Sequence, residues 1–471
     1  MATKEQFLRE YIKSIRDGNA AIFAGAGLSR PSGFVVWKEL LRPLASDIGL
    51  NIDDEHDLTA VAQYVRNQTG NRAAINSTIL EAYSKNVSEN ENVTIITKLP
   101  IYTYWTTNYD HLIEDGLRKA NRNPDVKIEY KQLSNTKRDR DAVVYKMHGD
   151  VDFAADAVLT QDDYVQYDRN RPFFRSVLQG DLISKTFLFI GFSFEDPNLD
   201  SVIGQIKLLL NENIRNHYCF MKRVARSDVK SDEDYGYQKA RQDLREQDLK
   251  RYGIQTVFVD EYSEITKLLR IVENAIRINN VFISGSADFY GGIWTKAKID
   301  ELAYKLANRF VKEELRVTSG FGVGIGSSVI NGALDEIYNS KFKHIDEHLC
   351  LRPFPQGITN PDERKAKWKK YREDILDEAG VAIFMIGNKK NAEAIADGCL
   401  QEYDLAKERK CIIIPIGSTG DAAATIYADV KTNKDQYPYL EKYLDILGTQ
   451  TDIDIIVNAI MDIIQSQRTG K

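Results

Sequence analysis

Three short motifs, each at the end of an apolar run, constrain this chain more than anything else in it. Gly25-Ala26-Gly27-Leu28-Ser29 follows Ala20–Ala24, Thr106-Thr107-Asn108-Tyr109-Asp110 follows 101–105, and Lys146-Met147-His148-Gly149-Asp150 closes 142–146. Short apolar runs bounded by glycine or polar turns read as buried strands. Further runs at 186–190, 217–221 and 256–260 continue the series, with helical stretches between most of them. Alternating strands and helices predict a parallel sheet covered on both faces, an α/β architecture.

The pattern restarts further on. Residues 264–277 predict an amphipathic helix through Ile265, Leu268, Leu269, Val272 and Ile276, and Asn279-Asn280 then breaks it. Strands at 281–284, 315–318, 381–386 and 411–416 follow, the first two ending in glycine turns. A chain of 471 residues exceeds one ordinary core. We therefore expect two domains, 1–278 and 279–471, without a Pro/Ser-rich linker.

Charge and cysteine usage exclude several classes. Against 63 basic residues stand 69 acidic ones, a net charge of −6, which gives no electrostatic case for a nucleic-acid partner. The basic run Lys365, Lys367, Lys369, Lys370 and Arg372 suits a solvated helix face. Cys219, Cys350, Cys399 and Cys411 form no C-x-x-C pair, so no structural zinc site and no metal is expected. Scattered thiols fit a reducing compartment, the Met1–Gln6 end carries no apolar signal region, and no run reaches membrane-spanning length. A cytoplasmic location is the expectation.

The first half offers parts for chemistry on a dinucleotide, most simply NAD. Ala24, Gly25, Ala26 and Gly27 would let the backbone approach a pyrophosphate ahead of a helix N-terminus, with Ser29 alongside. Arg30 stands where a full G-x-G-x-x-G needs glycine, so a plain tight turn remains open. Asn108 and Asp110 end a strand on the edge where open α/β sheets hold ligands, and an amide beside a carboxylate suits ribose hydroxyls. They equally suit capping of the next helix. His148, between Met147 and Gly149, is the candidate acid/base, and His56, His111, His217, His344 and His348 lack such a setting. Gly191 and Ser193 close another strand and are candidates for ribose or phosphate, whereas Asp196-Pro197-Asn198 reads as a helix start.

This set, GAGLS with TTNYD, KMHGD and GFSFEDPN, resembles the sirtuin-type NAD-binding domain over roughly residues 1–275. The resemblance implies Asn108 and His148 as the catalytic pair. The four-cysteine zinc module of protein-deacylating sirtuins is missing, which counts against peptide deacylation and leaves water as the default acceptor. Hydrolysis of NAD to nicotinamide and ADP-ribose is the leading expectation. An NAD-dependent deacylase or ADP-ribosyltransferase, and a non-catalytic nucleotide-binding regulator, are the alternatives.

The second half pairs two glycine turns, Ser284-Gly285-Ser286 and the stretch from Ser319 to Gly326 with Gly320, Phe321 and Gly322, into a second nucleotide-sized cradle. Arg352, Arg372 and Lys389 are candidate phosphate contacts and Glu402 a candidate ribose contact, each with a surface role as the alternative. No nucleophile or base accompanies them, so the cradle reads as a sensor. It resembles the Rossmann-like SLOG family through SGSA, SGFGVGIG and RPFPQG. A sirtuin-like domain joined to a SLOG domain resembles the effectors of Thoeris antiphage defence. That resemblance implies a cyclic ADP-ribose-type signal made by a TIR-domain partner, activation through the SLOG domain and a homo-oligomer, a tetramer or higher assembly.

Overall fold

A computed structural model of the chain describes residues 2–83, 87–192, 194, 203–204, 215–341, 343–389 and 395–469. The chain divides into two compact units, Met1–Glu273 and Asn274–Lys471. The division falls inside the helix Ser263–Arg277, ahead of the Asn279-Asn280 break. Its last turn belongs with the second unit because the Arg277 guanidinium donates to the carbonyls of Leu376, Ala379 and Arg409.

The first unit holds a seven-stranded sheet: β1 Ala20–Ala24, β2 Thr103–Thr106, β3 Pro124–Lys127, β4 Ala142–Lys146, β5 Thr186–Ile190, β6 His217–Lys222 and β7 Ile254–Val259. The order is β3-β4-β2-β1-β5-β6-β7 and every ladder is parallel. Helices on both sides bury the apolar runs. The helix Lys4–Arg16, capped by the Thr3 hydroxyl, buries Phe7, Tyr11 and Ile15. Between β1 and β2 the helices Trp37–Asp47, Leu58–Thr69 and Ala73–Tyr83 build a small core of their own, and Tyr109 and Val151 pack into it.

Register explains why the sequence motifs meet. Ala24 lies opposite Thr106 and Ile190, and Thr106 opposite Lys146. The turns after β1, β2, β4 and β5 therefore leave one carboxyl edge together.

The second unit holds five parallel strands, β8 Asn280–Ser284, β9 Arg316–Ser319, β10 Leu349–Leu351, β11 Val381–Met385 and β12 Ile412–Ile416, in the order β10-β9-β8-β11-β12. Strand order reverses between β8 and β11, which makes their carboxyl ends the crevice of a Rossmann-like sheet. Both units thus have the expected α/β class. The strand series read from the sequence lacks β3 and β10, the two edge strands on one side of each sheet.

Candidate functional site

The turn after β1 is built against the turn after β5. The Gly25 N–H donates to the Ile190 carbonyl at 3.0 Å and the Gly27 N–H to the Gly191 carbonyl at 2.8 Å. Gly191 has φ +65°, and a Cβ there would lie 2.0 Å from the Leu28 nitrogen. Backbone-on-backbone packing therefore accounts for these glycines, and it sets the loop on which Ser29 stands.

Ser29 links the turn after β1 to the TTNYD segment. Asn108 Nδ2 donates to the Gly25 carbonyl at 3.0 Å and to Ser29 Oγ at 2.9 Å. The Ser29 hydroxyl donates to Asp110 Oδ2 at 2.6 Å, while Asp110 Oδ1 accepts from the Leu112 N–H at 3.0 Å. All three side chains are buried. Asp110 thus does what its capping alternative described, and it also anchors Ser29. Thr106 Oγ1 accepts from the Asn108 N–H at 2.9 Å, so both backbone and amide of Asn108 are fixed.

His148 is fully buried between two half-buried rings, Trp37 at 5.7 Å and Tyr164 at 5.6 Å between centroids. Its carbonyl accepts from the Val158 N–H, and the Tyr167 hydroxyl donates to the Met147 carbonyl. Trp37 and Tyr164 escaped the sequence reading because Trp37 fits the apolar face of its helix and Tyr164 lies in a polar stretch. Ser193 and the Asp196–Asn198 segment lie outside the described residues.

Beneath the motif loops lies a buried charge cluster. Lys146 Nζ pairs with Asp150 at 2.5 Å and Glu114 at 3.1 Å, and donates to the carbonyls of Tyr109 and Asp110. His111 Nε2 meets Asp150 Oδ1 at 2.8 Å. Burial raises the Asp150 carboxyl, but His111 and Lys146 outweigh it and hold it down to about 2. Burial pushes Glu114 up. His111, set aside in the sequence, is therefore tied to the loop that carries His148.

In the second unit Arg372, Glu402 and Ser284 come together. Arg372 Nε donates to Glu402 Oε1 at 3.3 Å and Nη1 to Gln401 at 3.2 Å, and Ser284 Oγ donates to Glu402 Oε2 at 2.6 Å. The guanidinium lies over the Phe354 ring at 4.9 Å and near Trp368 at 6.0 Å. Burial pushes the Glu402 carboxyl up, against the pull of Ser284 and Arg372. The glycine turns stack on one another: a Cβ on Gly322 would lie 2.0 Å from the Gly285 carbonyl, and one on Gly320 would touch Phe354. Ser286 Oγ donates to the Asn388 carbonyl, and Phe321, at φ +56°, is exposed.

Two expected contacts stand apart from this cluster. The Arg352 side chain pairs with Glu378 at 3.2 Å. Glu378 also faces Arg316 at the start of β9, and its carbonyl serves Asn280 at the start of β8, so Arg352 is turned toward the amino edge of the sheet. Lys389 is exposed and pairs with Asp397 at 2.7 Å.

The comparisons agree with this two-part layout. A SIR2-like domain model matches residues 102–254, and the model of the Sir2- and TIR-associating SLOG family matches 264–467. The NAD(+) hydrolase ThsA of Bacillus cereus (strain MSX-D12) is 40% identical over 98% of each chain. The chain belongs to the ThsA family. A second ThsA NAD(+) hydrolase, from Acinetobacter baumannii (strain 532279), is 39% identical over 96% of this chain and 97% of its own. Defense-associated sirtuin 2 of Bacillus subtilis is 25% identical over 48% of this chain and 23% of its own length. The ThsA-family chain thus joins a SIR2-like unit to a SLOG unit. Among its described residues no helix is long and apolar enough to cross a membrane.

Proposed function

We propose that this ThsA-family chain hydrolyses NAD in its first unit, broadly 1–278, under control of a cyclic ADP-ribose-type nucleotide bound by its second, 279–471. The observation that carries the catalytic half is the fixed amide of Asn108. Its two Nδ2 hydrogens go to the Gly25 carbonyl and Ser29, so the amide meets a ligand through Oδ1. An acceptor held there suits a ribose hydroxyl or an attacking water.

The chemistry is breakage of the nicotinamide–ribose C–N bond. The bonding pair leaves with the ring nitrogen of nicotinamide, whose positive charge it neutralises. Water oxygen bonds to the anomeric carbon of the ribose, and His148 accepts the proton lost from the water or from a ribose hydroxyl. Nicotinamide, ADP-ribose and one proton result. Ala24, Gly25, Ala26, Gly27 and Gly191 line the dinucleotide path, with Ser29 and Asp110 supporting Asn108. Water is taken as the acceptor because the four cysteines form no C-x-x-C pair from which the zinc module of protein-deacylating sirtuins could be built.

The regulatory half rests on Arg372, a buried cation with an aromatic bracket and, among the described residues, one carboxylate partner, Glu402. A phosphate offers it a better-matched fork. Ser284, Gly285, Ser286, Gly320, Phe321, Gly322, Lys389 and Glu402 complete the signal site in this reading. A hundredfold activation needs about 2.7 kcal/mol of tighter binding to the active state, within reach of a few such contacts. A TIR-domain partner supplies the signal, the active form is a homo-oligomer of tetrameric or higher order, and NAD loss serves antiphage defence in the cytoplasm. Product analysis of purified protein tests this: free ADP-ribose supports hydrolysis, whereas ADP-ribosyl protein or released acyl groups support a transferase.

A further inference from the structure

The loop that carries Ser29 is held from two sides, and one of them, Asp110, belongs to a motif. The other is Asn90, a buried residue between β1 and β2 that stands at the start of the helix Glu91–Lys98. Its Nδ2 donates to the Leu28 carbonyl at 2.7 Å and to Ser32 Oγ at 3.2 Å. Its Oδ1 accepts from the Val93 N–H at 3.3 Å and so caps the helix. A backbone N–H on one side and a backbone carbonyl on the other leave the amide a single orientation. Two residues earlier the Ser88 N–H donates to the Ser32 carbonyl at 3.2 Å. Leu28 and Ser32 flank Ser29, so the chain on either side of that hydroxyl is tied to the residues just ahead of this helix.

Asp110 has the same double duty. One of its oxygens accepts from the Leu112 N–H, in the first turn of the helix Leu112–Lys119, and the other accepts from Ser29. The two helices are packed without slack. A Cβ on Gly116 of the second would lie 2.9 Å from Thr97 Cγ2 and 3.0 Å from Val93 Cγ1 of the first. Contact that close fixes the spacing of the two helices, and with it the spacing of Asn90 and Asp110.

The segment between these two holds is short, and its position decides where Ser29 Oγ stands. Ser29 in turn accepts from Asn108 Nδ2. A misplacement of about 1 Å at reacting groups can cost about a hundredfold in rate, even when its cause lies away from the chemistry.

We propose that Asn90 is a positioning residue for NAD cleavage. With Asp110 it clamps the loop 28–32, and through Ser29 it aims the amide of Asn108. The proposal rests on the reading of Asn108 as part of an NAD-hydrolysing site.

Steady-state kinetics of the full-length chain tests it, with NAD as substrate and each cyclic ADP-ribose isomer as activator. Asn90→Ser is the informative variant: serine caps a helix about as well as asparagine but brings no amide donor to the Leu28 carbonyl. Its Tm should stay within about 4 °C of wild type. Its kcat should fall about tenfold with KM within about twofold, the mark of lost positioning. Asn90→Asp, which keeps shape and cap while removing the donor, is the second variant and should show the same split. In a Ser29→Ala background Asn90→Ser should change kcat by less than about twofold, because the two residues act in series. Unchanged kcat in both Asn90 variants, a loss confined to Tm, or a loss that multiplies in full with that of Ser29→Ala overturns the proposal while the hydrolase reading stands. If the wild type releases no nicotinamide with any isomer, both fail.

Discussion

Ser29 accepts from Asn108 Nδ2 at 2.9 Å and so decides which way the Asn108 amide faces. The same hydroxyl is pinned by Asp110 at 2.6 Å, which leaves it one orientation. Sequence spacing of 79 residues separates the partners, and the adjacent ends of β1 and β2 remove it.

Ser29→Ala should therefore lower kcat for NAD by about 10- to 100-fold with little change in KM, since it removes positioning and not a binding contact. Steady-state kinetics with circular dichroism as the folding control checks this. A mutant that kept full kcat would show that the amide needs no support.

Lys146→Met leaves Glu114 and Asp150 buried without their shared countercharge. Breaking a buried pair from one side costs about 3–5 kcal/mol, so a large fall in Tm or loss of soluble protein is expected. Adding Glu114→Gln to Lys146→Met should recover part of the loss in the same thermal melt.

Protons act on this cluster in two opposite windows. Asp150 titrates at about 2, below the ordinary 3.8, so its contribution is complete above about pH 4 and lost as pH falls toward 2. The Asp150 hydrogen bond raises His111 above its ordinary 6.5, so that contribution is full below 6.5 and lost as pH rises through the higher folded value. The Tm gap between wild type and His111→Gln should accordingly shrink from pH 6 to pH 8.5. A gap that stays constant contradicts the pairing.

Gly191→Ala should cost well over about 1 kcal/mol, because it meets both a left-handed φ and the Leu28 nitrogen at 2.0 Å. Gly180→Ala is the control: it lies exposed inside the helix Phe174–Ser184 with nothing within 4 Å, and should gain up to about 1 kcal/mol. Denaturant melts of the two variants give the comparison.

Arg372→Lys keeps the charge but loses the fork and the flat face against Phe354. Activation by the cyclic nucleotide should then require at least about tenfold more ligand, with basal turnover unchanged. Dose–response curves of NAD loss read this out, and an unshifted curve would place phosphate recognition elsewhere.

The sequence made the sheets legible where strands are continuously apolar, as in β1, β5 and β11, because burial on both faces leaves that trace. It hid β3, whose Asp125 and Lys127 are buried as an ion pair at 2.9 Å with further partners in the Lys137 N–H and the Asn135 carbonyl, and β10, a strand of three residues. The motif ends of strands pointed to Asn108 and His148. Their supports were hidden, because the contacts of His111 with Asp150 and of Arg372 with Phe354 arise only when distant segments fold together. Arg372 in particular reads as one more cation in a basic run, yet its lysine neighbours are exposed and it is buried.

The most direct test is NAD consumption by the purified full-length chain, with and without each cyclic ADP-ribose isomer, beside Asn108→Ala and His148→Ala. Nicotinamide and free ADP-ribose are expected in equal amounts, with release stimulated by one isomer and lost in both variants. Undiminished NAD cleavage in Asn108→Ala and His148→Ala, or intact NAD under every condition, would contradict the proposed hydrolysis.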